Sequence, residues 1–64
     1  MINFRIYANK QGWELVTIKR EEHEVQQVVS ILEKNDVSDI LVVKHDTILD
    51  QDETYLLKIK KSWQ

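Results

Sequence analysis

Apolar and polar positions alternate strictly at the start of the chain: Ile2, Phe4, Ile6 and Ala8 are interleaved with Asn3, Arg5 and Tyr7. A period of two puts one set on each face of an extended backbone, so this segment predicts a half-buried strand. Asn9-Lys10-Gln11-Gly12 then suits a type I turn, with Asn at its first position and the sole glycine where a left-handed bulge residue is needed. Trp13 to Lys19 reads as a second strand, rich in β-formers. A loop over 10–12 sets Asn9 opposite Trp13. By counting, Tyr7 then faces Leu15, Ile6 faces Val16, Arg5 faces Thr17 and Phe4 faces Ile18. The apolar faces of both strands coincide in that register, which predicts one hairpin.

From Glu21 to about Asn35 the period changes. Val25, Val28, Val29 and Leu32 follow i, i+3, i+4, i+7, with Ile31 on the flank, as in an amphipathic helix. Glu21, Glu22 and Glu24 at the start and Lys34 at the end suit the helix dipole. Asn35 is the expected left-handed terminator. No Ser, Thr, Asp or Asn stands immediately before Glu21, so the helix starts without a side-chain cap.

Ile40-Leu41-Val42-Val43 is a continuous apolar run, the mark of a strand central in its sheet or covered on both faces. Thr54 to Lys61 alternates again, with Tyr55, Leu57, Ile59 and then Trp63 inward and Leu56, Lys58 and Lys60 outward. An acidic connection, 46–53, joins these two strands. The order is ββαββ: a single-domain, two-layer α+β fold in which one helix covers one face of a four-stranded sheet. Strand order cannot be read from pattern; by fold-level analogy alone, a ubiquitin-like arrangement with the first and last strands paired in the centre is the commonest solution for this element order.

Composition narrows the chemistry. A chain of 64 residues buries only about 60% of its unfolded surface, so its core is a single small layer pair. The absence of cysteine excludes disulfides, thiolate zinc sites, iron–sulfur centres and a cysteine nucleophile. A net charge of −2 argues against a dedicated duplex binder, which draws its affinity from phosphate neutralisation. No apolar run approaches the roughly 18 residues of a membrane span, and the opening MINFRIY lacks the pattern of a secretory signal. The expectation is a cytoplasmic protein with no membrane contact and no cofactor.

No catalytic constellation emerges. His23 and His45 do not form an i, i+4 pair of the helical zinc type. Asp46, Asp50, Asp52 and Glu53 could offer oxygen ligands, but their spacing is not that of a calcium loop and no glycine makes the sharp turn. They read as an acidic, solvated hairpin loop. Ser30, Ser38 and Ser62 lack a glycine-rich elbow, and a two-layer domain of this size rarely encloses a pocket by itself. A non-enzymatic role is expected.

Two surfaces carry the functional expectation. In the counted register Tyr7, Trp13, Leu15 and Arg5 turn away from the helix, and an outward Leu56 extends the patch. Trp, Tyr and Arg are the side chains enriched at interface hot spots, and a two-layer domain has no third layer to cover them. The preferred reading is therefore an interaction module that binds a larger protein, as its inhibitor or regulator, or a second copy of itself. The bland alternative has Trp13 folded over the hairpin end as an edge plug. Short orphan domains of this kind are frequent in phages and mobile elements. The rival surface is the basic Lys58, Lys60, Lys61 with Trp63, which could hold single-stranded nucleic acid by charge and stacking. Outward lysines also serve simply to keep strand edges apart.

Gly12-Trp13-Glu14-Leu15-Val16, His23-Glu24-Val25-Gln26-Gln27-Val28-Val29, Ser38-Asp39-Ile40-Leu41-Val42 and Leu56-Leu57 resemble, in the same order, segments of the small phage inhibitors of uracil-DNA glycosylase. The resemblance touches about a third of the chain and implies a protein that blocks a host enzyme by surface mimicry. That family carries a Glu-Ser-Ile motif in its edge strand, whereas this chain continues Thr17-Ile18-Lys19-Arg20. The family's leading helix and last hairpin also have no counterpart, so no functional residue carries over.

Overall fold

A computed structural model describes residues 1–59. Strands β1 (Ile2–Asn9) and β2 (Trp13–Lys19) are followed by helix α1 (Glu22–Lys34) and strands β3 (Ile40–Asp46) and β4 (Gln51–Lys58). The ββαββ order and α+β class match expectation, with all four strands antiparallel to their neighbours in one sheet. Strand order, which the pattern leaves open, differs from the ubiquitin-like analogy. The sheet runs β2-β1-β3-β4, so the first and third strands occupy the centre, in place of the first and last. β1, with its alternating Phe4, Ile6 and Ala8, and β3, with Ile40 and Val42 from its apolar run, carry the strand residues that become buried, while β4 begins with the polar Gln51-Asp52-Glu53-Thr54 and suits an edge. Since β1 is antiparallel to both β2 and β3, those two strands run the same way and α1 is the crossover between them.

The core is apolar throughout the described residues. Phe4, Ile6 and Ala8 from β1, Ile40 and Val42 from β3, Val25 and Val29 from α1, and Val37 form it, with Ile2, Val28, Leu32, Tyr55 and Leu56 packed around. Each fully buried Val, Ile or Phe contributes about 1.5–3 kcal/mol relative to exposure. Tyr55 meets Phe4 edge-on, ring centroids 4.9 Å apart, and donates its hydroxyl to Glu22 at 2.7 Å. That bond to a carboxylate holds the Tyr55 phenol above its ordinary pKa.

Two bulges revise the expected registers. Asn9 faces Trp13 and Tyr7 faces Leu15 as counted, but the pairing then slips so that Ile6 faces Thr17, Arg5 faces Ile18 and Phe4 faces Lys19. Val16 is the extra residue, and Ile18 moves to the face away from the helix. The physical reason is helix width. A helix about 10 Å across covers roughly two strands spaced about 4.8 Å apart, so the helix-side positions of an edge strand gain little burial and a bulge there costs little. In β4 the slip lies between Val42 and Val43. It makes Tyr55 the unpaired residue and reverses the parity beyond it. Leu56, expected outward, faces Val42 and packs on the core, while Leu57 faces Leu41 on the open side. Lys58 likewise turns to the helix, where its Nζ meets Glu33 at 2.8 Å. Ile59, expected inward, is about half exposed. The expected positions of Lys60, Lys61 and Trp63 lie outside the described residues.

The turns explain where elements stop. The N-cap Glu21 makes no side-chain capping bond, as its residue type predicts. At the other end the left-handed residue is Asp36 (φ 64), one position after the expected Asn35. Val37 N–H donates to the Leu32 carbonyl and Asp36 N–H to that of Glu33. This Schellman closure drops the apolar Val37 into the core beside Leu32. The acidic connection shortens to a turn at 47–50, because β3 extends to Asp46 and β4 begins at Gln51.

In the first hairpin, Gly12 donates its N–H to Asn9 Oδ1 at 3.0 Å and has φ +148. A Cβ there would touch nothing within 4 Å, so a side chain meets backbone strain alone. Gly12→Val is expected to lower stability by about 1–3 kcal/mol, beyond the roughly 0.5 kcal/mol of ordinary surface changes. Urea unfolding measures it, and a variant as stable as the parent contradicts this role for Gly12.

Candidate functional site

Side chains directly opposite one another in neighbouring strands share a face, so the registers define the surface away from the helix. One row crosses all four strands: Leu15, Tyr7, Leu41, Leu57. The next reads Ile18, Arg5, Val43, Thr54, and a third holds Asn3, His45 and Asp52. Trp13, opposite Asn9, extends the first row toward the hairpin turn. Leu15, Ile18, Leu57 and Trp13 are each about half exposed.

Of the residues expected to form this surface, Tyr7, Trp13, Leu15 and Arg5 are together on it. Leu56 is not, for the parity reason given above. Leu41, Val43, Ile18 and Leu57 are the members that pattern reading missed. The signal for Leu41 and Val43 was present: a run buried on both faces needs two covering layers, and α1 supplies one. Ile18 and Leu57 reach the face through the bulges, which no composition marks. Arg5 stands among these apolar side chains with no ion pair to any carboxylate of the described residues.

The far end of the same face is polar. His45 pairs through Nδ1 with Asp52 across the β3–β4 ladder, while its Nε2 lies 3.9 Å from Asp50. The His45 side chain is mostly covered. Among the described residues no group of three or more His, Asp or Glu side chains could hold a metal ion. His23 contacts Glu21 at 3.3 Å on the surface, an exposed pair of small energetic weight.

On the helix side, a cleft of about 290 Å3 runs between α1 and β4, lined by Val25, Val29, Tyr55 and Leu56 with Gln26, Ser30 and the Glu33–Lys58 pair at its rim. Lys58, one of the expected nucleic-acid contacts, is thus engaged by an acid. Lys60, Lys61 and Trp63 lie outside the described residues. No helix of the described residues is long and apolar enough to cross a membrane.

The β3–β4 turn forms a second exposed apolar feature, with Ile48 and Leu49 at its tip. Asp46 Oδ1 accepts the N–H of Ile48 at 2.9 Å and of Leu49 at 3.3 Å. Thr47 donates both its N–H and its hydroxyl to the Met1 carbonyl, each at 2.9 Å. Asp50 takes the left-handed conformation, φ 51. The amides of Leu49 and Ile48 hold the Asp46 carboxyl below its ordinary pKa.

A carboxyl whose pKa is depressed by folding stabilises the fold above its unfolded pKa, and that contribution is lost as pH falls through the folded value. Asp46→Asn keeps an acceptor oxygen but not the titrating proton. Its thermal midpoint is expected to fall less than the parent's between about pH 5 and about pH 2. Equal acid slopes for the two proteins contradict this role for Asp46.

No known protein family, curated protein or solved structure matches the chain.

Proposed function

We propose that the protein is a non-catalytic interaction module, an inhibitor or regulator that buries its open sheet face against a larger protein. The observation that carries this reading is the row Leu15, Tyr7, Leu41, Leu57, which spans the full width of the sheet with no layer of the described residues over it. Contiguous apolar patches of more than a few hundred Å2 on a small domain mark contact surfaces. Trp13 and Tyr7 supply rigid aromatic area, and Arg5 adds a planar donor with no ion pair among the described residues, the three residue types that dominate interface energetics. The polar corner of His45 and Asp52 supplies the wet rim such interfaces have.

Nothing observed favours the nucleic-acid reading over this one, since Lys58 is held by Glu33 and the rest of the basic segment lies outside the described residues.

Affinity capture from the native host, followed by titration with the purified partner, tests the reading. Trp13→Ala is expected to weaken binding about 30-fold or more, as for a hot-spot aromatic, while unfolding stays cooperative. A partner bound equally well by the parent and by Trp13→Ala removes this face from the contact.

A further inference from the structure

We propose that the open face also receives a second copy of the chain, giving a two-fold dimer in which the two sheets stack face to face. This rests on the reading of that face as the module's contact surface. In the dimer the face stays covered until a larger protein displaces one copy.

The side-chain order makes the face complementary to itself. A two-fold axis parallel to the strands reverses the strand order of the facing sheet while keeping strand direction, as in aligned sheet packing. The row Leu15, Tyr7, Leu41, Leu57 then falls on its own reverse. Leu15 meets the partner's Leu57, and Tyr7 meets the partner's Leu41. In the next row Arg5 lies over the partner's Val43, beside the partner's Thr54, with the partner's Asp52 one strand and one row away. The long side chain of Arg5, which has no ion pair among the described residues, can lie along that Val43 with its guanidinium extended toward the carboxylate. The other in-plane axis, across the strands, exchanges the two ends of the face. It sets Leu41 and Leu57 on the partner's His45 and the partner's Asp52, apolar against charged, and is disfavoured.

Competing self-association through strand edges is blunted. Each edge strand carries a bulge, at Val16 in β2 and at Tyr55 in β4, and bulges interrupt the ladder that an added strand would extend. The area sets the strength. Strands spaced about 4.8 Å apart and seven residues long at about 3.3 Å each give a face of roughly 19 by 23 Å. Two such faces bury on the order of 1,000 Å2 in total, near the lower limit of specific interfaces. Interfaces of this size are typically weak and transient, so the expected dimer yields to a tighter partner.

Leu15 and Leu57 are 51% and 54% exposed on opposite edge strands, so substitutions there spare the core. Three strand spacings, about 14 Å, separate them within one chain, too far for an intramolecular ion pair. Sedimentation equilibrium of the parent from about 1 µM to about 1 mM is expected to show the mass rising from 7.7 kDa toward twice that value. Leu15→Lys alone and Leu57→Glu alone should each weaken the dimer about 10-fold or more. The double variant, which faces Lys with Glu at both symmetric contacts, should return to within about 3-fold of the parent. Cooperative thermal unfolding checks that each variant folds. A parent that stays monomeric at the highest concentration overturns the dimer, as does a dimer that neither single change weakens or that the double change does not restore. The module reading fails separately, when Trp13→Ala binds the captured partner as tightly as the parent does.

Discussion

One helix lies on one sheet, and the rest of the structure follows from how little of the sheet it can cover. The stripe of Val25, Val28, Val29 and Leu32 packs on Phe4, Ile6, Ala8, Ile40 and Val42, residues of the two central strands. A helix roughly 10 Å across has no more to give. The alternating β1 and the continuous apolar run of β3 therefore take the centre, and the edges are left loosely specified on the helix side. Bulges settle where burial is weakest. Hydrophobic surface that cannot reach the helix collects on the opposite face, where Tyr7, Leu41 and Val43 lie back to back with the core positions of the same strands.

Because no polar side chain is buried in the core of the described residues, specificity is carried at the ends of the elements. The Asn9 side chain closes the first hairpin on Gly12, while the Asn9 N–H reaches the Asp39 carbonyl and ties β1 to the segment before β3. The Schellman turn at Asp36 sends Val37 inward, and Asp46 fixes the tip of the second hairpin. These contacts are individually modest, about 1 kcal/mol each. Their collective effect is to fix the direction in which the chain leaves each element, which a purely apolar core leaves free.

What the sequence made legible follows from the range of each signal. Alternation over 2–8, the helical stripe over 25–32 and the turn residues at 9–12 are local, and each element formed where it was expected. Strand order is not local: alternation says which face of a strand is apolar but not which strand lies beside it. The bulges escaped for a sharper reason. Leu56 and Leu57 are adjacent and alike, so either could face the core, and only the ladder with β3 decides between them. Val16 and Ile18 fit the helix-side register equally well on paper. The candidate face was accordingly legible at Trp13, Leu15, Tyr7 and Arg5, and misassigned on the bulged strands themselves, at Ile18 in β2 and at Leu56 and Leu57 in β4.

The central placement of β1 also dictates the order in which the molecule can assemble. β1 and β2 are separated by three residues, 10–12, and their hairpin closes by local contacts. The β1–β3 ladder joins Ile2 to Asp46 and Ala8 to Ile40, so it must wait for the whole of β2 and α1 to be gathered in. Closing that span carries the chain entropy of folding and is the slow step for a topology of this kind. Until it closes, the second edge of β1 stands unpaired, with Phe4 and Ile6 still wet. The vulnerable species is thus a hairpin awaiting its third strand, and the speed of the crossover helix sets how long it persists.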